Sequence, residues 1–229
     1  MCKEKKPENL ISDALIEENK NSNPSVNIRR NLPPNVYIDP EVVIEEGAVI
    51  CPMTVLKGNT KICRGAVVYP FCDLTDTVVG ENTEIRSTYS AGAVIGKNCT
   101  VGPFACLRKG AVIGDGCRVG DFVEIKNSVL GEGVKCAHLA YIGDSTVGAE
   151  TNVGCGAVFA NYNGKKKRGV TVGKKVFIGC NSNLVAPVTI GDGAYIAAGS
   201  TVTEDVPPET LCIARARQVL KNRLPNLDK

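Results

Sequence analysis

The chain contains no tryptophan and a single histidine, and only 5% of its 229 residues are aromatic. A core that is 43% apolar in composition but poor in rings must be built from Val, Ile, Leu and small residues. No apolar run approaches the roughly 20 residues that span a bilayer. The charged start, Met1-Cys2-Lys3-Glu4-Lys5-Lys6, is not followed by the apolar segment of a signal peptide. Neither membrane insertion nor secretion is expected, and the protein is read as cytoplasmic. A net charge of +3 lacks the lopsided field of a dedicated nucleic-acid binder. No pair among the eleven cysteines has C-x-x-C spacing, which excludes zinc ribbons and thioredoxin-type motifs. Their odd number and the length of the chain argue against a disulfide scaffold, so they are expected to be small apolar filler in a reducing compartment. HExxH, P-loop and G-x-S-x-G elements are also missing.

What the sequence does have is a period of six. Ile38, Ile44, Ile50, Leu56, Ile62, Val68 and Leu74 form one ladder of aliphatics. Ile95, Val101, Leu107, Ile113, Val119 and Ile125 form a second, and Val172, Ile178, Leu184, Ile190, Ile196 and Val202 a third. Small or β-branched residues follow four positions later, and glycine often follows directly, as in Ile95-Gly96 and Val119-Gly120. Neither a 3.6-residue nor a 2.0-residue period produces this pattern. Short strands joined by corners, with one large aliphatic per unit pointing inward, define a parallel β-helix in which three units close one triangular turn. The fold is expected to be all-β. Residues 1–34, rich in charge and asparagine, are expected to form a polar tail or marginal helix. Residues 35–206 are expected to form the β-helix, and 207–229 a basic, helical C-terminal arm that carries Arg215 and begins at Pro207-Pro208.

The register breaks in three places: between Leu74 and Ile95, from Ser128 to Val153, and between Val153 and Val172. The last break contains Asn161-Tyr162-Asn163-Gly164-Lys165-Lys166-Lys167-Arg168-Gly169, which cannot fit a turn and should loop out. In a rigid solenoid, departures from the repeat are natural places for function. His138 lies in the irregular stretch. Alone, a histidine is more often structural than catalytic. Arg108 and Lys126 are eighteen residues apart, one nominal turn, and should stack on the same side as two prongs for a phosphate. With one imidazole per chain, a multi-histidine zinc centre is not expected.

The rungs resemble the hexapeptide-repeat acyltransferase superfamily, whose members form a left-handed β-helix and commonly trimerise. Left-handedness is implied by the resemblance, since the period does not decide it. A closer resemblance rests on Val101-Gly-Pro-Phe-Ala-Cys-Leu-Arg108, Val119-Gly-Asp-Phe-Val-Glu-Ile-Lys126 and His138-Leu-Ala-Tyr141-Ile-Gly-Asp144. Asn152-Val-Gly-Cys-Gly156, Asn161-Tyr-Asn-Gly164, Leu184-Val-Ala-Pro-Val188 and Ile196-Ala-Ala-Gly-Ser-Thr-Val202 continue it. This series is similar to the acetyltransferase half of the bacterial bifunctional N-acetylglucosamine-1-phosphate uridyltransferases/glucosamine-1-phosphate N-acetyltransferases. It covers residues from about Tyr37 to Gln218.

The resemblance implies acetyl-CoA-dependent N-acetylation of glucosamine 1-phosphate, a step toward UDP-GlcNAc and peptidoglycan precursors, in a homotrimer that needs no metal. It implies His138 as general base, and Arg108, Lys126, Tyr141 and Asn152 as sugar-phosphate contacts. Cys155, Asn161, Tyr162, Cys180, Ala198 and Arg215 fall at acetyl-CoA contacts. Cys180 stands where the family usually has serine, Cys155 where it has alanine, Ala137 where it has glycine and Ala140 where it has threonine. The nucleotidyltransferase half has no counterpart before residue 35, so uridyl transfer is not expected from this chain, and a separate uridyltransferase chain is an open partner. Three alternatives stay open: acetylation of another amino-sugar phosphate, acetylation of a nucleotide sugar, and a non-catalytic trimeric scaffold.

Overall fold

A computed structural model describes residues 33–221. The expected tail therefore lies outside the described residues, save for Pro33 and Pro34. The described residues form 27 short strands and no helix. All strand pairing is parallel, and successive turns stack in register along three flat faces. One face is a nine-stranded sheet running from Val43–Ile44 to Val188–Ile190. The second runs from Val49–Ile50 to Leu211–Cys212, and the third from Tyr37–Ile38 to Thr201–Val202. The second and third merge into one eighteen-stranded sheet because two nine-residue strands, Arg118–Lys126 and Lys135–Gly143, run continuously round the corner between them. The architecture is a parallel β-solenoid of about 10 turns, consistent with a left-handed β-helix of hexapeptide repeats.

The ladders read from sequence are the core. Every rung from Ile44 onward is buried, and Leu56, Ile62, Leu74, Leu107, Ile113 and Ile125 are fully inaccessible. Ile38, in the first described turn, is only half-buried. Each fully buried aliphatic contributes roughly 1.5–3 kcal/mol, so the column dominates the favourable side of folding. Polar groups inside are satisfied. Thr60 Oγ1 donates to the Lys57 carbonyl at 2.7 Å, and no buried side-chain N or O among the described residues lacks a partner.

Within the breaks the rungs continue at shortened spacing. Val79, Ile85 and the hydroxyl of Ser90 fill the interior between Leu74 and Ile95. Leu130, Cys136, Ile142, Val147, Val153 and Phe159 do so after Ile125. The step from third to first face has lost one residue at Leu74–Val79, Ser90–Ile95, Ile125–Leu130 and Ile142–Val147. Ile85–Ser90, from second to third face, has lost one as well, so the register advances by 16 residues between Asp73 and Tyr89 and by 17 where Asp121 pairs with His138 and Glu124 with Tyr141. The same corner carries the insertion 161–169, a hairpin with an antiparallel bridge between Tyr162 and Lys167. Asn163 Oδ1 tightens it by accepting the amides of Lys165 and Lys166 at 3.0 and 2.8 Å.

The expected C-terminal helix does not form over residues 209–221; 222–229 lie outside the described residues. Val206 bridges to Ile190, and Leu211–Cys212 adds a strand beside Tyr195–Ile196. The physical reason is the exposed edge of the preceding turn. The amides of Tyr195, Ala197 and Thr201 each need an acceptor, and the carbonyls of Thr210, Cys212 and Ala214 supply them at 2.9 Å. A helix would spend those carbonyls internally and leave the edge open. The solenoid thus continues past Pro207-Pro208, and Arg215 sits at its corner rather than on a helix.

Candidate active site

Two corners of the solenoid, at opposite edges of the third face, hold the chemistry. The first is the corner between second and third faces. There the two long strands run in register, so that Asp121 and His138 are direct partners on adjacent turns. A Cβ on Gly120 would overlap the carbonyl oxygen of Ala137, so this close approach requires glycine. The corner then closes through left-handed residues, Phe122 at φ 55° and Leu139 at φ 31°. Such conformations are uncommon for bulky side chains. Here the neighbouring turns hold them: Phe122 N donates to Phe104 O at 3.2 Å, and Gly156 N to Leu139 O at 2.6 Å. The outcome is a His138 ring that is 57% exposed, its Nδ1 2.7 Å from Asp121 Oδ1. The hydrogen bond to His138 holds the Asp121 carboxyl below its ordinary range.

The same corner continues turn by turn away from His138. Asn181 N donates to Cys155 O, and Gly199 N to Cys180 O, both at 2.8 Å, which sets Cys155 and Cys180 on adjacent turns with Ala198 next in line. Both cysteines are exposed. Arg215 packs its Cδ 3.7 Å from the position a Cβ on Gly199 would take.

The second corner, between third and first faces, gathers charge. Leu107 pairs with Ile125, so Arg108 and Lys126 are stacked neighbours, and Arg108 N donates to Ile125 O at 2.8 Å. Each cation has a carboxylate. Arg108 Nη1 is 2.8 Å from Glu124 Oε1, and Lys126 Nζ is 3.7 Å from Asp144 Oδ1. The Lys126–Asp144 pair is well shielded, at 20% and 16% side-chain exposure, whereas Arg108 is 49% exposed. Burial alone would raise the Asp144 carboxyl. Amide donation from Asn127 and Asn161 and the field of Lys126 and Lys167 outweigh it and hold that carboxyl low. Contact with the Lys126 ammonium lowers Lys167, so a third cation from the inserted hairpin reaches this corner. Arg108, Lys126 and Lys167 therefore converge on one patch that an anion would neutralise.

Tyr141 joins the two corners. It lies on the third face, its hydroxyl accepting a hydrogen bond from Asn161 Nδ2 at 3.4 Å, and the same amide donates to Asp144 Oδ2. Asn161 is only 7% exposed. These side chains fold across Gly143, where a Cβ would stand 2.5 Å from Tyr141 Oη and 2.6 Å from Asn161 Nδ2. His138 is five residues from Gly143, the register partner of Lys126. At about 3.3 Å per residue that is about 16 Å of strand.

The structure thus brings Arg108, Lys126, Tyr141 and Asn161 together at one edge. It sets His138, Cys155, Cys180, Ala198 and Arg215 along the other. Asn152 is not with either group: it sits on the second face, in register between Lys135 and Phe177. Tyr162 points into solvent at the hairpin, 58% exposed, with its hydroxyl donating to Gly164 O at 2.6 Å. Asp121, Glu124 and Asp144 were given no role by the sequence reading. Asp121 was findable at one shortened turn before His138, had the turn length of 17 been recognised.

Repeat and fold together define the chain as a hexapeptide-repeat β-helix: residues 92–127 and 169–204 match the family described as bacterial transferase hexapeptide (six repeats). Its similarity runs specifically to the C-terminal region of bifunctional protein GlmU. The Clostridium acetobutylicum protein of that name is 50% identical over 189 residues, which is 82% of this chain and 41% of that protein. The Bacillus velezensis one is 51% identical over the same shares. The chain spans about two-fifths of the length of these curated relatives. Among solved structures, an Arabidopsis UDP-N-acetylglucosamine acyltransferase aligns over 79% of this chain and 70% of its own at 20% identity, with a TM-score of 0.46. No cluster of His, Cys, Asp and Glu among the described residues is placed to hold a metal ion, and no helix there is long and apolar enough to cross a membrane.

Proposed function

We propose that this chain is an acetyltransferase that moves the acetyl group of acetyl-CoA to the amine of glucosamine 1-phosphate. The observation that carries this reading is the pairing of a cationic patch with an exposed imidazole at opposite edges of one face. The patch of Arg108, Lys126 and Lys167 holds the phosphate. This fixes the sugar so that its amine faces His138, and positioning of this kind lowers the entropic part of the barrier. The amine attacks in its neutral form, because an ammonium has no lone pair. As the C–N bond forms and the thioester C–S bond breaks, His138 accepts the amine proton and can return it to the departing thiolate. The column from Cys155 through Cys180 and Ala198 to Arg215 forms the edge along which the coenzyme lies, its phosphates meeting Arg215. The free thiols fit a cytoplasmic setting.

A homotrimer completes the arrangement. Asn152, on the second face, contacts a sugar bound on a neighbouring copy's third face. A ridge of exposed apolar residues, Met53, Phe71, Phe104, Phe122 and Leu139, runs along the His138 corner and supports contact between copies. The 50% identity to bifunctional protein GlmU supports the substrate assignment. The test is release of free thiol from acetyl-CoA with glucosamine 1-phosphate, galactosamine 1-phosphate and free glucosamine as acceptors. Turnover with the glucosamine phosphate and little with free glucosamine is expected. Equal rates on the two would refute the phosphate assignment, and a monomer with full activity in light scattering would refute the trimer.

A further inference from the structure

The pairing of Asp121 with His138 carries a consequence for how the base works. We propose that Asp121 is a positioning residue: it accepts the Nδ1–H of His138, fixes that tautomer, and leaves the Nε2 lone pair facing the substrate groove. This deepens the acetyl-transfer reading and rests on it for its kinetic consequence.

A neutral imidazole has one N–H donor and one acceptor nitrogen, and its partner decides which is which. Asp121 Oδ1 lies 2.7 Å from Nδ1, and an ionised carboxylate can only accept, so the proton must sit on Nδ1. The backbone enforces the contact. Asp121 and His138 are in-register partners on adjacent turns, Gly120 permits the close approach to Ala137, and both corners turn through a left-handed residue immediately afterwards. Neither side chain needs to search for the other. When Nε2 takes the amine proton, the imidazolium that forms faces a carboxylate at hydrogen-bond distance. Asp121 stays ionised throughout, as the hydrogen bond from His138, with a smaller contribution from the field of Arg118, holds its carboxyl below the ordinary carboxylate range.

The sequence makes the test direct, because the chain has one histidine and its imidazole nitrogens need no assignment. Long-range proton–nitrogen NMR of ¹⁵N-labelled protein at about pH 9, well above the ordinary imidazole range, should show a protonated Nδ1 and an unprotonated Nε2. In Asp121→Asn and Asp121→Ala the population should move toward the Nε2–H form. In parallel, kcat for acetyl transfer should fall about 10- to 100-fold while KM for acetyl-CoA and for glucosamine 1-phosphate stays unchanged. That is less than the roughly 10⁴-fold loss for a buried dyad, because this pair is open to solvent. Asp121→Glu, which keeps the carboxylate, should stay within a few-fold of the parent. An Nε2–H tautomer in the parent protein, or a tautomer that does not change in the variants, overturns the proposal. So does full kcat in Asp121→Asn. A parent chain that acetylates none of the amino sugars overturns the proposed function instead, and the NMR result then decides alone whether Asp121 holds the ring.

Discussion

Gly143→Ala separates stability from function at this site. The glycine ends the strand Lys135–Gly143 and its φ lies outside the left-handed region, so an alanine there meets no left-handed strain. Its Cβ would instead stand 2.5 Å from Tyr141 Oη and 2.6 Å from Asn161 Nδ2, where ordinary contact is about 3.5–4.0 Å. Both groups are ends of movable side chains and must retreat by about 1 Å. The Asn161 amide, which bridges Tyr141 and Asp144, cannot keep both hydrogen bonds after that shift. Two net hydrogen bonds amount to about 1–3 kcal/mol. The reduced freedom of the unfolded chain returns about 0.4–1 kcal/mol for a Gly→Ala change. The variant should therefore stay folded, with a loss of about 0–2.6 kcal/mol in urea unfolding. Its kcat/KM for glucosamine 1-phosphate should nevertheless fall about 10- to 100-fold, since Tyr141 leaves the span between phosphate patch and base. Undiminished kcat/KM would refute the role given to Tyr141 and Asn161. Collapse of the fold would refute the claim that only side-chain ends move.

His138→Ala should lower kcat for acetyl transfer by roughly 10²–10⁴-fold with an unchanged melting temperature, as expected for a ring that is 57% exposed; survival of activity within a few-fold would favour a non-catalytic solenoid. Arg108→Ala should depress kcat/KM for glucosamine 1-phosphate by tens-fold or more and leave free glucosamine unaffected. Equal losses on both acceptors would mean structural damage rather than a lost phosphate contact. Phe159→Ala empties the interior position of a fully buried ring and should cost about 3–5 kcal/mol in denaturant unfolding.

Much of this protein is determined by its sequence alone. The inward aliphatic column is a local requirement, repeated every six residues and independent of distant parts of the chain. The ladders from Ile44 to Val202 could therefore be read directly, and the rungs proved to be the core. The Arg108–Lys126 stacking was legible for the same reason, since the turn between them has its nominal length. His138 stood out because it is the chain's one imidazole.

Tertiary structure decided whatever depends on register summed over whole turns. One residue lost at the Ile125–Leu130 corner makes the next turn 17 residues long, and that alone places Asp121 beside His138. It also sets Tyr141 against Glu124. The C-terminal segment shows the same dependence from another side. Its composition suggests a basic helix, but three amides at the edge of the last turn stood without acceptors, and residues 210–214 satisfied them as strand. Intrinsic helix preference amounts to tenths of a kcal/mol per residue, whereas an unmet buried donor costs about 1–3 kcal/mol, so the edge prevails.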